Sequence, residues 1–112
     1  MTIVTEKISR QELKAIAEKQ FGDFVKAVVD VERRIMAVGG ELHSDEEALL
    51  LEDGSLQRDI WGINIYPDRT GEEWIEFDSM INLRPSFGNR TRGVDDPAAQ
   101  QKIREVVDSL VD

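Results

Sequence analysis

The chain contains no cysteine, which excludes disulfides, thiol nucleophiles and thiolate metal sites. It has a single histidine, His43, so a Cys/His zinc set cannot be assembled either. Long apolar runs are also missing. No stretch approaches the roughly 20 residues that span a bilayer, and the opening MTIVTEKISRQELK is charged by Glu6, with no apolar centre of a signal peptide. A reducing cytoplasm and no membrane are the expectations. Positive charge is scarce, with 14 Lys and Arg against 23 Asp and Glu and a net charge of −9. That balance opposes nucleic acid, whose phosphates need clustered cations. What remains, 40% hydrophobic and 33% charged residues, suits one folded domain over residues 1–112.

Periodicity and turn chemistry sketch the elements. TIVTEK starts with a short β-branched strand. Ser9 with Glu12 three residues on is a capping box, and Leu13, Ile16 and Ala17 give a helical stripe that stops before Gly22. The next segment reads two ways. Val25, Ala27, Val29 and Val31 alternate like a strand, whereas Phe24, Val28, Val31, Ile35 and Val38 step by 4 and 3 like a helix face. Asp23 as a cap, the i,i+4 pairs Lys26–Asp30 and Asp30–Arg34, and the Gly39-Gly40 stop favour a helix over 23–38, with Phe24, Val28 and Ile35 in the core. Three strands are expected to follow, EALLLE, IWGINIYP and WIEFDSMINLR, the first two joined by a hairpin turn at Asp53-Gly54. Asp96 and Pro97 open a last helix with Ile103, Val106, Val107 and Leu110 on its buried side. The expected fold is α+β, in the order β-α-α-β-β-β-α, an antiparallel sheet covered by helices on one face.

The strings VKAVVDVERRIMAVGGELHSDEEALLLEDGS, DIWGINIYPD and WIEFDSMINLRPSFGNRTRGVDDP resemble a family of small bacterial and archaeal proteins recorded only as a domain of unknown function. The resemblance covers nearly the whole chain. It implies a free-standing protein of this length and brings no reaction, ligand or catalytic residue with it.

One passage runs against the acidic composition. RPSFGNRTRG holds Arg84, Arg90 and Arg92, and no Asp or Glu occurs from Ser79 to Val94. A guanidinium fork suits carboxylate and phosphate, Ser86, Asn89 and Thr91 add neutral donors, and Gly88 and Gly93 let backbone approach a ligand. The candidate anion site is therefore Arg84, Ser86, Asn89, Arg90 and Arg92 with Asn82 beside them. The competing reading has these arginines neutralise nearby carboxylates.

His43, Glu76 and Asp78 are candidate auxiliary residues: a histidine amid acids has an adjustable pKa, and paired carboxylates can act as acid and base. Glu76, Asp78, Asn82 and Arg84 would line one polar strand face, joined by Asn64 and Tyr66 if the neighbouring strand faces the same way. The six acids between Glu41 and Asp53 do not fit a calcium loop and read as a solvated face, with no metal or cofactor. Two functions are open at this stage. One is a binding or regulatory module that pairs with a protein or with itself as a homodimer, through Trp61, Tyr66, Trp74 and Met80. The other is an enzyme or sensor for a small phosphorylated or carboxylated metabolite at the arginine loop.

Overall fold

A computed structural model describes residues 1–112. The elements are β1 (Thr2–Val4), α1 (Arg10–Lys19), β2 (Val25–Asp30), β3 (Ile35–Val38), α2 (His43–Glu52), β4 (Ile60–Ile65), β5 (Ile75–Glu76) and α3 (Pro97–Leu110), with short 3-10 turns between them. The five strands form an antiparallel sheet in the order β1-β3-β2-β4-β5. The α+β class stands, but the element order is β-α-β-β-α-β-β-α. No helix is long and apolar enough to cross a membrane.

The expected helix over 23–38 is a β-hairpin, and the reason is burial on both faces. Val25, Ala27 and Val29 pack with Leu13 and Ala17 of α1 and with Ile103, Val106 and Val107 of α3. Val28, on the opposite face of the same strand, packs with Ile35, Ala37 and Ile60 beneath Leu50 of α2. A strand covered on both sides is apolar at nearly every position, so alternation disappears and helical spacing can be read into the run. Helices therefore lie on both faces of the sheet, not on one.

The polar residues that resembled a helix exterior form the hairpin turn. Asp30 Oδ1 accepts the backbone N–H groups of Glu32 and Arg33, both at 2.9 Å. The Arg34 N–H then closes on the Asp30 carbonyl at 2.9 Å, with Arg34 in the left-handed region at φ 58°. The i,i+4 spacing of Asp30 and Arg34 thus marks the two ends of a turn.

EALLLE is the C-terminal half of α2 and not a strand; Leu50 is fully buried and Leu51 exposed. Gly54 does supply a positive φ, 107°, but it ends this helix, where the Ser55 N–H reaches the Leu50 carbonyl at 2.9 Å. The first and last helices follow expectation: Ser9 Oγ accepts the Glu12 N–H at 3.0 Å, and Asp96 Oδ1 accepts the Ala98 N–H at 2.9 Å.

The expected strand over 74–84 pairs with β4 only at Ile75 and Glu76, and its last residue, Arg84, bridges to Asn89 instead. Beyond Glu76 a side chain takes over the pairing. Asn82 Oδ1 accepts the Gly62 N–H at 2.8 Å, and Asn82 Nδ2 donates to the Gly62 carbonyl at 2.9 Å, so the amide satisfies both backbone groups that β4 presents at its outer edge. The close approach requires glycine: a Cβ at position 62 would lie 2.5 Å from Ser79 Cβ.

Asn82→Ala is expected to leave the Gly62 N–H and C=O buried without partners and to destabilise the fold by about 2–4 kcal/mol. Urea denaturation followed by circular dichroism measures this; a loss below about 0.5 kcal/mol would mean that Asn82 does not hold the segment.

Candidate functional site

The acid-free stretch is closed by acids that flank it. Arg92 Nε donates to Asp78 Oδ1 at 2.8 Å, just before the stretch. Asp95, just after it, accepts the Arg90 backbone N–H at 2.7 Å and the Thr91 hydroxyl. Those two hydrogen bonds hold the Asp95 carboxyl below its ordinary pKa.

Arg84 is buried. Its guanidinium donates to the Gln57 carbonyl and, at 3.0 Å, to the Ile60 carbonyl, and it lies 4.5 Å from the centre of the Trp61 ring. Desolvation lowers its pKa, partly offset by the charge of Glu47. Asn89 is buried too, and its amide donates to the carbonyls of Asn82, Thr91 and Gly93. Asn82 is committed to Gly62 and to the Arg92 carbonyl. Ser86 is exposed on the turn over 85–87, and Arg90 points its guanidinium into solvent. Asn82, Asn89 and the two terminal nitrogens of Arg84 thus donate to backbone, Arg84 Nε is buried without a partner, and the expected clamp of three converging guanidinium groups is not built.

A different convergence is. Lys26, His43, Asn64, Glu76, Asp78 and Arg92 line one cavity of about 390 Å³, with Phe24, Leu42 and Met80 among its apolar walls. Its floor is a cross-strand row, because Lys26 is paired with Asn64 and Asn64 with Glu76. Antiparallel pairing sets these three side chains on the same face of neighbouring strands, the face that α2 covers. Asn64 Nδ2 donates to Glu76 Oε1 at 2.8 Å, and the Tyr66 hydroxyl reaches the same oxygen at 3.2 Å. Burial and the Glu76 charge push the Tyr66 phenol up. Asn64 is only 7% exposed, and its Oδ1 has no hydrogen-bond partner.

His43 sits in the first turn of α2, above this floor. Its Nε2–H donates to the Ile63 carbonyl at 2.8 Å, which fixes the ring and leaves Nδ1 as the unused acceptor. Burial lowers its pKa, reinforced by Lys26 and Arg92 and opposed by the Ile63 bond and Asp78, so the ring is neutral at pH 7. The helix start has no side-chain cap.

Four of the candidate site residues singled out from sequence, His43, Glu76, Asp78 and Arg92, therefore meet. Lys26 was missed. It is the one charged side chain between Val25 and Val29, and a strand assignment would have marked it as facing the α2 side. Trp74, expected on a self-association surface, is 5% exposed beneath the Arg10 guanidinium, 4.0 Å from the ring centre. Met80 is exposed as expected, at the rim of the cavity.

On the inner side of α2, Glu46 is fully buried against Gly40, whose N–H donates to Glu46 Oε2 at 2.9 Å. A Cβ at position 40 would meet Glu46 Cγ at 2.7 Å, so this seat also depends on glycine. Desolvation raises the Glu46 pKa to about 9. At that pKa the carboxyl is mostly protonated in the folded state at pH 7, and its Oε1 has no hydrogen-bond partner.

A family model described as a protein of unknown function, DUF5674, matches residues 2–110, and the chain belongs to that family. No curated protein and no solved structure matches it.

Glu46 generates a pH prediction. Its folded pKa lies above its unfolded one, so the folded state binds the extra proton and stability falls as pH rises from about 4.5 towards 9. The slope from this group is about 1.4 kcal/mol per pH unit. Glu46→Gln, which keeps an acceptor for Gly40, is expected to remove that slope and to stabilise the protein at pH 8 by on the order of 3–5 kcal/mol. Urea midpoints from pH 5 to 9 check this; parallel pH profiles for the two proteins would refute a protonated Glu46.

Proposed function

We propose that this member of the family is a small-molecule binding module whose ligand occupies the cavity between the start of α2 and the segment 78–81. One observation carries the reading. Charged and polar side chains from α2, β2, β4, β5 and two loops line a single concavity of about 390 Å³, a volume within the usual range for ligand sites.

Several of these groups are not consumed by the fold. Lys26 pairs with no carboxylate, and its only close partner is the Phe21 ring at 5.0 Å. His43 Nδ1 and Asn64 Oδ1 have no donor. Polar groups held rigidly and left unused are what a site with a specific ligand contains. Exposed Leu42 and Met80 at the mouth add apolar contact for a ligand's carbon frame.

This keeps a binding role but replaces the protein or self partner expected for it with a small ligand, as in the alternative expectation, and moves that ligand from the arginine loop to the cavity, with Arg92 the loop arginine that reaches it. It also retains a small ligand rather than a polyanion, because the rest of the surface is strongly acidic.

Amide chemical-shift mapping of the full chain against ω-amino acids, dicarboxylates, nucleosides and monosaccharides tests the reading. At least one class is expected to move His43, Ser44, Asn64 and Glu76 together, and Asn64→Leu is expected to abolish the response. Shifts confined to residues 84–92, or no shifts across the panel, would overturn it.

A further inference from the structure

The cavity floor has a charge order, and that order selects a ligand class. Lys26, Asn64 and Glu76 stand side by side on β2, β4 and β5, cation first, amide in the middle, carboxylate last. The only other full charges on the lining are Asp78 and Arg92, which neutralise one another at 2.8 Å. What a ligand meets is therefore a dipole: a free ammonium at one end and a free carboxylate oxygen at the other. Glu76 Oε1 already accepts from Asn64 and Tyr66, which leaves Oε2 for the ligand.

Two further features match this polarity. The uncapped first turn of α2, at His43 and Ser44, opens on the same cavity and favours an anionic group, an attraction that the Asp45 charge in the same turn partly offsets, Glu46 beside it being mostly protonated. Asn64 gives its Nδ2 to Glu76, so its carbonyl oxygen, buried and without a donor, is the acceptor left for an N–H of the ligand.

Resting on the small-molecule reading above, we infer that the ligand is a small zwitterion, with its carboxylate against Lys26 and the α2 start and its ammonium against Glu76. A simple anion would satisfy Lys26 and leave Glu76 to repel it; a simple cation meets the reverse problem. Length is also constrained. Two strand spacings separate the Lys26 and Glu76 backbones by about 9.6 Å. With both side chains standing roughly perpendicular to the sheet their charges keep about that spacing, and allowing about 2.8 Å for each charge-assisted hydrogen bond leaves roughly 4 Å between the ligand's two charges. That exceeds the spacing in an α-amino acid and suits an ω-amino acid with two or three methylenes between the groups. Such a carbon chain would rest against Leu42 and Met80.

Isothermal titration of the full chain with glycine, β-alanine, 4-aminobutyrate and 5-aminopentanoate, and with butyrate and butylammonium as single-charge controls, tests the inference. Binding is expected to peak at β-alanine or 4-aminobutyrate, with each control weaker by about tenfold or more. Lys26→Glu and Glu76→Lys should each abolish binding, while the double exchange, which restores an opposite-charge row, should regain it; circular dichroism verifies that all three fold. The inference fails if a control binds as well as the zwitterions, or if the double exchange stays inactive while folded. Should a nucleoside, sugar or dicarboxylate occupy the cavity while no zwitterion binds, the binding-module reading survives and the zwitterion does not. Silence across both panels defeats both.

Discussion

The position of the cavity wall depends on one side chain standing in for backbone. After Glu76 the chain leaves the sheet, and β4 would be left with an open edge at Gly62. Asn82 closes it with an acceptor and a donor from one amide, and the same Nδ2 reaches the Arg92 carbonyl at 3.0 Å. The Ser79 N–H also donates to that carbonyl, at 2.9 Å, and Asn89 donates to the Asn82 carbonyl at 2.7 Å. Asp78, Ser79, Met80 and Arg92 are thereby fixed relative to β4, and with them one side of the cavity. The arrangement is possible because residue 62 lacks a Cβ, so a glycine in a strand has become the point where two segments touch.

Local chemistry in the sequence was legible where a single principle governed it. The Ser9 and Asp96 caps, Pro97 in the first turn of α3, and the apolar stripes of α1 and α3 could all be read, because these helices present one face to the core and the other to water. Legibility failed wherever a segment is buried on both sides. The run from Val25 to Val38 contains enough apolar positions to satisfy either period, and only the tertiary fact that α2 covers the second face decides between them. EALLLE failed for a related reason: three consecutive leucines carry no period, and the start of their helix at His43 has no capping side chain to announce it.

The site was half legible. Its acids and its histidine were visible as residue types without a structural excuse, and Arg92 as part of a basic cluster in an acidic chain. Lys26 was hidden by the wrong element assignment, since a helix would have sent it to solvent. The basic cluster itself drew attention to the wrong donors. Arg84 and Asn89 are polar residues spent on bare carbonyl groups, Asn89 within its own turn-rich segment and Arg84 on Gln57 and Ile60, partners from another part of the sequence that spacing along the chain cannot reveal.

The protonated Glu46 changes what the chain's charge means. Counted from composition the net charge is −9, but with one carboxyl held neutral the folded molecule at pH 7 carries −9 + 1 = −8. The unfolded chain keeps the full count, so through this group folding takes up a proton, while the lowered pKa of His43 works in the opposite direction. Folding is in this respect a buffering event: in a weakly buffered solution it makes the solvent more alkaline, and unfolding returns the proton. It also lightens a crowded helix, since α2 would otherwise hold Asp45, Glu46, Glu47 and Glu52 all ionised within ten residues.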